Sequence, residues 1–112
     1  MPRAFGWFKD PHALMRCVTD VKRRAAVSVI IANPNTRNSE ALVYGPLSRD
    51  LACYPFLDLL HHIRRLGMER AMARRYTEVV ASGGVVICVE ADRANPANWL
   101  YPHRARDLAL VP

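Results

Sequence analysis

Five arginines crowd one short stretch, at Arg64, Arg65, Arg70, Arg74 and Arg75, with Glu69 the only acid among them. Guanidinium groups pair bidentately with phosphate or carboxylate, so this cluster suits nucleic acid or an acidic protein partner. On a helix Arg70 and Arg74 sit one turn apart and share a face, a track suited to phosphates. The competing account is a solvated helix face, with Arg74 paired to Glu78 four residues on. No helix-turn-helix, aromatic RNA-binding signature or zinc finger accompanies the cluster.

Other chemistry-bearing residues have simpler explanations. His61 and His62 are adjacent, so on a helix they point about 100° apart and do not chelate one metal. They read as part of a polar face beside a leucine stripe. Asp10-Pro11-His12 follows a strand-like segment; Asp10 suits a helix N-cap, although a carboxylate there can also be catalytic. Cys17, Cys53 and Cys88 are odd in number and widely spaced, which fits neither a disulfide framework nor a zinc site. Each lies among apolar neighbours and reads as a small buried hydrophobe. Gly83-Gly84 runs from helix into strand, the reverse of a phosphate-cradling loop, and reads as a helix stop. Trp99 and Tyr101 form an aromatic patch in a proline-bounded tail, a candidate interface or an anchor onto the core. No local motif assembles a catalytic constellation, and no metal or cofactor is expected.

These residues need elements to hold them. Arg3 to Lys9 carries Phe5, Trp7 and Phe8 and reads as a strand. Leu14, Cys17, Val18 and Val21 recur at helical spacing, which predicts a helix from His12 to Arg24 with Lys22, Arg23 and Arg24 in its last turn. Ala26 to Ala32 is nearly continuous in apolarity, the pattern of a central strand covered on both faces. Asn33 to Asn38 is turn chemistry, and Glu40 to Tyr44 is a further short strand ended by Gly45-Pro46. A helical segment starts between Ser48 and Pro55, buries Phe56, Leu59, Leu60 and Ile63, and stops at Gly67. A second helix follows from Glu69 to Ala81, with Met68, Met72, Tyr76 and Val80 as its ladder. Val85 to Val89 is a second core strand, and Leu108 to Val111 a short closing one.

The order predicts an α+β fold: a ferredoxin-like βαββαβ sheet with helices packed on one face and the second helical segment split in two. Residues 1–92 form the core domain, and residues 93–112 a tail packing on that core or on a partner subunit. The other sheet face then needs cover, so a homodimer is expected.

Composition sets the remaining bounds. At 112 residues the chain suits one hydrophobic core, and 51% of it is hydrophobic. The formal charge of +6 comes from 16 basic against 10 acidic residues, and of the basic ones only Lys9 and Lys22 are lysines. No apolar run approaches membrane length and the N-terminus resembles no signal peptide, so a cytoplasmic protein with no membrane partner is expected.

Two stretches carry a resemblance. Leu66 to Tyr76, continuing through Gly83 to Asp92, is similar to the closing helix and strand of heat-induced stress protein YflT-type domains, the general stress protein group. Phe5-Gly6-Trp7-Phe8-Lys9-Asp10 resembles their opening strand. Asn33 to His62 departs from the glycine- and alanine-rich middle that members often carry. The resemblance implies a non-enzymatic regulatory or protective role in stress response and names no site. The expected function is thus a small, self-associating binding or regulatory protein of stress-response type. The alternatives are nucleic-acid binding through the arginine-rich helix, or a small ferredoxin-like enzyme using His12, His61 or His62.

Overall fold

The structure, a computed structural model, describes residues 2–36, 40–48, 50–91 and 95–111. Strand β1 (Arg3–Phe8) leads to Asp10, whose carboxylate accepts the His12 amide at 2.9 Å and opens helix α1 (Pro11–Val21). Pro11 takes the first helical position, where no amide proton is needed. Helix α1 stops at Val21, so Lys22, Arg23 and Arg24 lie just beyond it rather than in its last turn.

Strands β2 (Ala26–Ala32), β3 (Glu40–Gly45) and β4 (Asp50–Pro55) follow as an antiparallel meander. The turn after β2 is a 3-10 turn at Pro34–Thr36, with Asn33 Oδ1 accepting the Asn35 amide; residues 37 and 38 lie outside the described residues. Strand β4 occupies the stretch where the sequence placed a helix start. Pro55 accounts for the difference: it has no N–H to donate, which suits the end of an edge strand, and the helix begins at the next residue. Helices α2 (Phe56–Arg65) and α3 (Arg70–Ala81) are two separate helices packed on each other, as the Gly67 stop implied. Strand β5 (Val85–Glu90), the short helix α4 (Ala97–Leu100) and strand β6 (Arg106–Val111) complete the chain. The domain limit at residues 92 and 93 falls outside the described residues.

The six strands form one sheet in the order β4-β3-β2-β5-β1-β6, with every neighbouring pair antiparallel. The fold is α+β, but its strand order departs from a ferredoxin-like sheet. There the first and third strands are central neighbours; here β5 lies between β2 and β1.

The expectation of helices on one face is corrected. Helices α2 and α3 cover one side, where Phe5, Ile30, Val86 and Cys88 point. Helices α1 and α4 cover the other, against Ala4, Phe8, Ile87 and Val89. The cause is written in β5: Val86 to Val89 is buried at every position, and a strand buried on both sides needs a layer on each. The second layer is incomplete. Helices α1 and α4 pack on β1, β2, β5 and β6. Ile31, Leu42 and Cys53 align across β2, β3 and β4 on that same side, with Tyr44 nearby and 42% exposed. Among the described residues no helix is long and apolar enough to cross a membrane.

The sheet is pinned at the β3 end by a glycine. Gly45 has φ +106°, and a Cβ there would lie 2.5 Å from the Val27 carbonyl oxygen and 2.9 Å from Ser28. The buried Ser28 hydroxyl accepts the Leu47 amide at 3.1 Å, closing the same corner. Gly83 also has positive φ, +92°, but a Cβ there meets nothing within 4 Å. Gly45→Ala is therefore expected to cost about 2–4 kcal/mol, combining strain with a backbone clash, whereas Gly83→Ala costs about 1 kcal/mol from strain alone. Urea unfolding of the two variants checks the ranking; equal losses would overturn it.

Candidate functional site

The pairing of β1 with β6 shifts between Phe5 and Trp7: Phe5 faces Ala109, but Trp7 faces Arg106. Strand β6 thus has one more residue than β1 over this span, a bulge. Asp107 sits in it at φ +53°, a left-handed conformation that aspartate tolerates better than most residues. The bulge brings the Asp107 carboxylate to the end of β1. Its Oδ2 accepts the Trp7 indole N–H at 2.6 Å and Arg75 Nε at 3.3 Å, and its carbonyl oxygen accepts the Tyr76 hydroxyl. The Trp7 hydrogen bond, then Arg75, hold the Asp107 carboxyl below its ordinary range despite some desolvation. Tyr76 is fully buried; burial, reinforced by Asp107, pushes its hydroxyl well above the usual tyrosine range and keeps it a donor.

Trp7 is fixed by this bond and flanked by cations. The guanidinium carbons of Arg75 and Arg106 lie 5.7 and 5.2 Å from the indole ring centroid, within cation–π range. Two open clefts, each of about 540 Å³, meet at the ring and share Trp7, Lys9 and Arg106. One runs along α3 past Arg75 and Glu78 to Gly83. The other runs to the start of α1 past Asp10, Arg16, His103 and Arg104. A third cleft, about 510 Å³, shares Arg16 and continues along α1 past Asp20 to Arg23 and Arg24. There Arg24 stacks over Trp99 at 5.8 Å, and His103 contacts Asp20 at 3.0 Å between the second and third clefts. Consecutive clefts joined by shared side chains make one basic track around the sheet's end, with tryptophan near its middle and near one end.

Of the five clustered arginines, only Arg75 lines these clefts. Arg64, Arg65, Arg70 and Arg74 are exposed on the outer side of the α2–α3 layer. Arg74 and Glu78 make no ion pair within 4.0 Å among the described residues. Trp99 is half-buried and packs against the α1-side core, with its indole N–H buried and unpartnered among the described residues; Tyr101 is 76% exposed. Lys9, Arg16, Arg104 and Arg106 were not singled out from the sequence, because three separate elements bring them together. A signal was present in Trp7 at a strand end and in the basic run from His103 to Arg106, though nothing in the sequence joins them.

The candidate catalytic groups do not converge. His12 opens α1 on one side of the sheet, while His61 and His62 lie on α2 on the other. His62 stacks on Tyr54 with ring centroids 5.1 Å apart, and its Nε2 lies 3.2 Å from the Leu47 carbonyl oxygen. Asp10 is engaged in its cap. Cys17 and Cys88 are buried, and burial raises both thiols, Cys17 to about 11. Cys53 is exposed rather than buried, because it lies on edge strand β4 where the second helical layer stops short. Among the described residues no three potential ligands group around a metal position.

The Asp107 contacts predict an acid-sensitive contribution. With its carboxyl held low in the fold, the stabilisation is present above the unfolded value of about 4 and is lost as pH falls through the folded value. Asp107→Asn keeps a residue that accepts positive φ but removes the charge, so a loss of about 1 kcal/mol is expected at neutral pH, reduced by solvent screening. Thermal melts should show the two proteins converging as pH falls below the ordinary carboxylate range; a difference independent of pH would contradict this account.

Comparison with protein-family models, curated proteins and solved structures finds no match for this chain.

Proposed function

We propose that this chain is a small non-enzymatic binding protein that holds a polyanionic partner in the basic track around Trp7. The observation that carries this reading is the joining of three clefts by shared residues, which lines one path with Arg75, Arg106, Lys9, Arg104, Arg16 and Arg23. The scattered placement of histidines and the protonated buried thiols favour binding over catalysis. A regulatory, stress-type role, implied by the likeness to general stress proteins, is the biological frame of this proposal. Three free cysteines suit a reducing, cytosolic setting.

Self-association belongs to the same proposal on a separate observation. The uncovered strip of Ile31, Leu42, Tyr44 and Cys53 is apolar and lies on the opposite half of the sheet from the track. A second copy seated there would leave the clefts open. Tyr44→Lys should then shift a dimer towards monomer in sedimentation; a wild-type protein that is already monomeric at high concentration removes this part.

The main reading is tested with fluorescently labelled single-stranded DNA and with heparin, at low and moderate salt. Arg16→Glu plus Arg106→Glu is expected to weaken binding about tenfold or more, and Arg64→Glu plus Arg70→Glu by much less. Affinity should fall steeply as salt rises. No binding of either polymer at low salt, or equal loss in both double variants, would overturn the proposal.

A further inference from the structure

We infer that the partner in the track is a single-stranded nucleic acid, with Trp7 as the platform on which a base stacks; this rests on the polyanion-binding reading above. Sequence-tolerant recognition of single strands combines a basic groove for phosphates with aromatic rings for bases. The track has both. Trp7 is the wall common to two clefts, and its ring is locked in place because the indole N–H is bound to Asp107 at 2.6 Å. A base meeting it finds a surface already oriented, with little further ordering required. Arg75 and Arg106 lie over the ring; Arg106, an exposed side chain, can swing from the indole to a phosphate as a base takes its place, while Arg75 stays held by Asp107.

The path disfavours a duplex. The first cleft lies on the α3 side of the sheet and the second on the α1 side, so the track bends around the end of β1. A duplex, stiff over about 150 base pairs, must be bent at a cost to follow the track, whereas a single strand follows it freely. An acid in the first cleft selects further. Glu78 repels a uniformly charged polymer such as heparin, but its carboxylate accepts hydrogen bonds from nucleobase amino groups.

The test uses the full chain carrying Trp99→Phe, which leaves Trp7 as its one tryptophan of the two. Tryptophan fluorescence is followed while oligodeoxycytidylate of about 15 nucleotides, a duplex of the same length, or heparin of matched charge is added. The expected result is strong quenching by the single strand, with duplex and heparin binding about tenfold more weakly and without quenching. Trp7→Leu should lose about tenfold for the single strand and clearly less for heparin, which has no base to stack; Trp7→Phe, a smaller platform, should fall between. The quenching arm needs no change at Trp7, so it stands if Trp7→Leu fails to fold. Equal binding of all three polymers without quenching would sink the single-strand inference and leave the polyanion reading intact. No binding by any of them would remove both.

Discussion

Asp107 holds together three parts of the chain that sequence keeps far apart. Its carboxylate binds Trp7, 100 residues away on β1, and Arg75 on α3; its carbonyl oxygen takes the Tyr76 hydroxyl. The bulge that places it there also fixes the register of β6 on β1. Tyr76 carries the connection inward, where its ring packs 5.8 Å from Phe5 in the core between the sheet and α3. One carboxylate therefore couples the seat of the last strand, the attitude of the Trp7 ring and the position of the Arg75 guanidinium. The two clefts that meet at Trp7 depend on all three.

The two-sided cover of the sheet explains where the track can run. With helices on both faces, the sheet offers its ends and edges rather than an open surface. At the end of β1 the first turn of α1, the last turns of α3 and the approach to β6 come together. Positive φ at Gly83 lets the chain leave α3 and enter β5 in three residues, with the Gly84 amide bonded back to the Val79 carbonyl at 2.8 Å. That tight exit leaves space beside Trp7 which a longer turn would fill.

Much of the fold was legible because it is local. Helical spacing gave α1, the Gly67 stop gave the division of α2 from α3, and continuous apolarity gave β2 and β5. Strand β4 was not legible, since Asp50 to Pro55 is a short edge strand whose identity comes from pairing with β3. The second helical layer was half legible: β5 is buried on both faces as its continuous apolarity implies, whereas the buried positions of β2, Ser28 and Ile30, share one face, and nothing local in α1 states which side of the sheet it covers. The site was the least legible part. Clustered arginines drew attention to α3, where Arg75 alone reaches the clefts. The remaining cations converge through the β1–β6 pairing and the packing of α1 beside it, and no periodicity encodes a bulge that puts Asp107 against Trp7.

The acids are the scarcer resource in this chain, and several have a specific structural task. Asp10 caps α1, Asp20 meets His103, Glu90 binds Arg3 across β1 and β5 at 3.1 Å, and Asp107 joins Trp7 and Arg75. Against 16 basic residues, these engagements leave a net positive surface that the fold does not neutralise internally. Like charges along the joined clefts repel one another, a cost that folding carries alone when no partner is present. A polyanion in the track removes that repulsion from the folded state and finds no such ordered array in the unfolded chain. Under the proposed function binding and stability are linked, since a partner that neutralised the track would also stabilise the bulge, the ring and the last strand that form it.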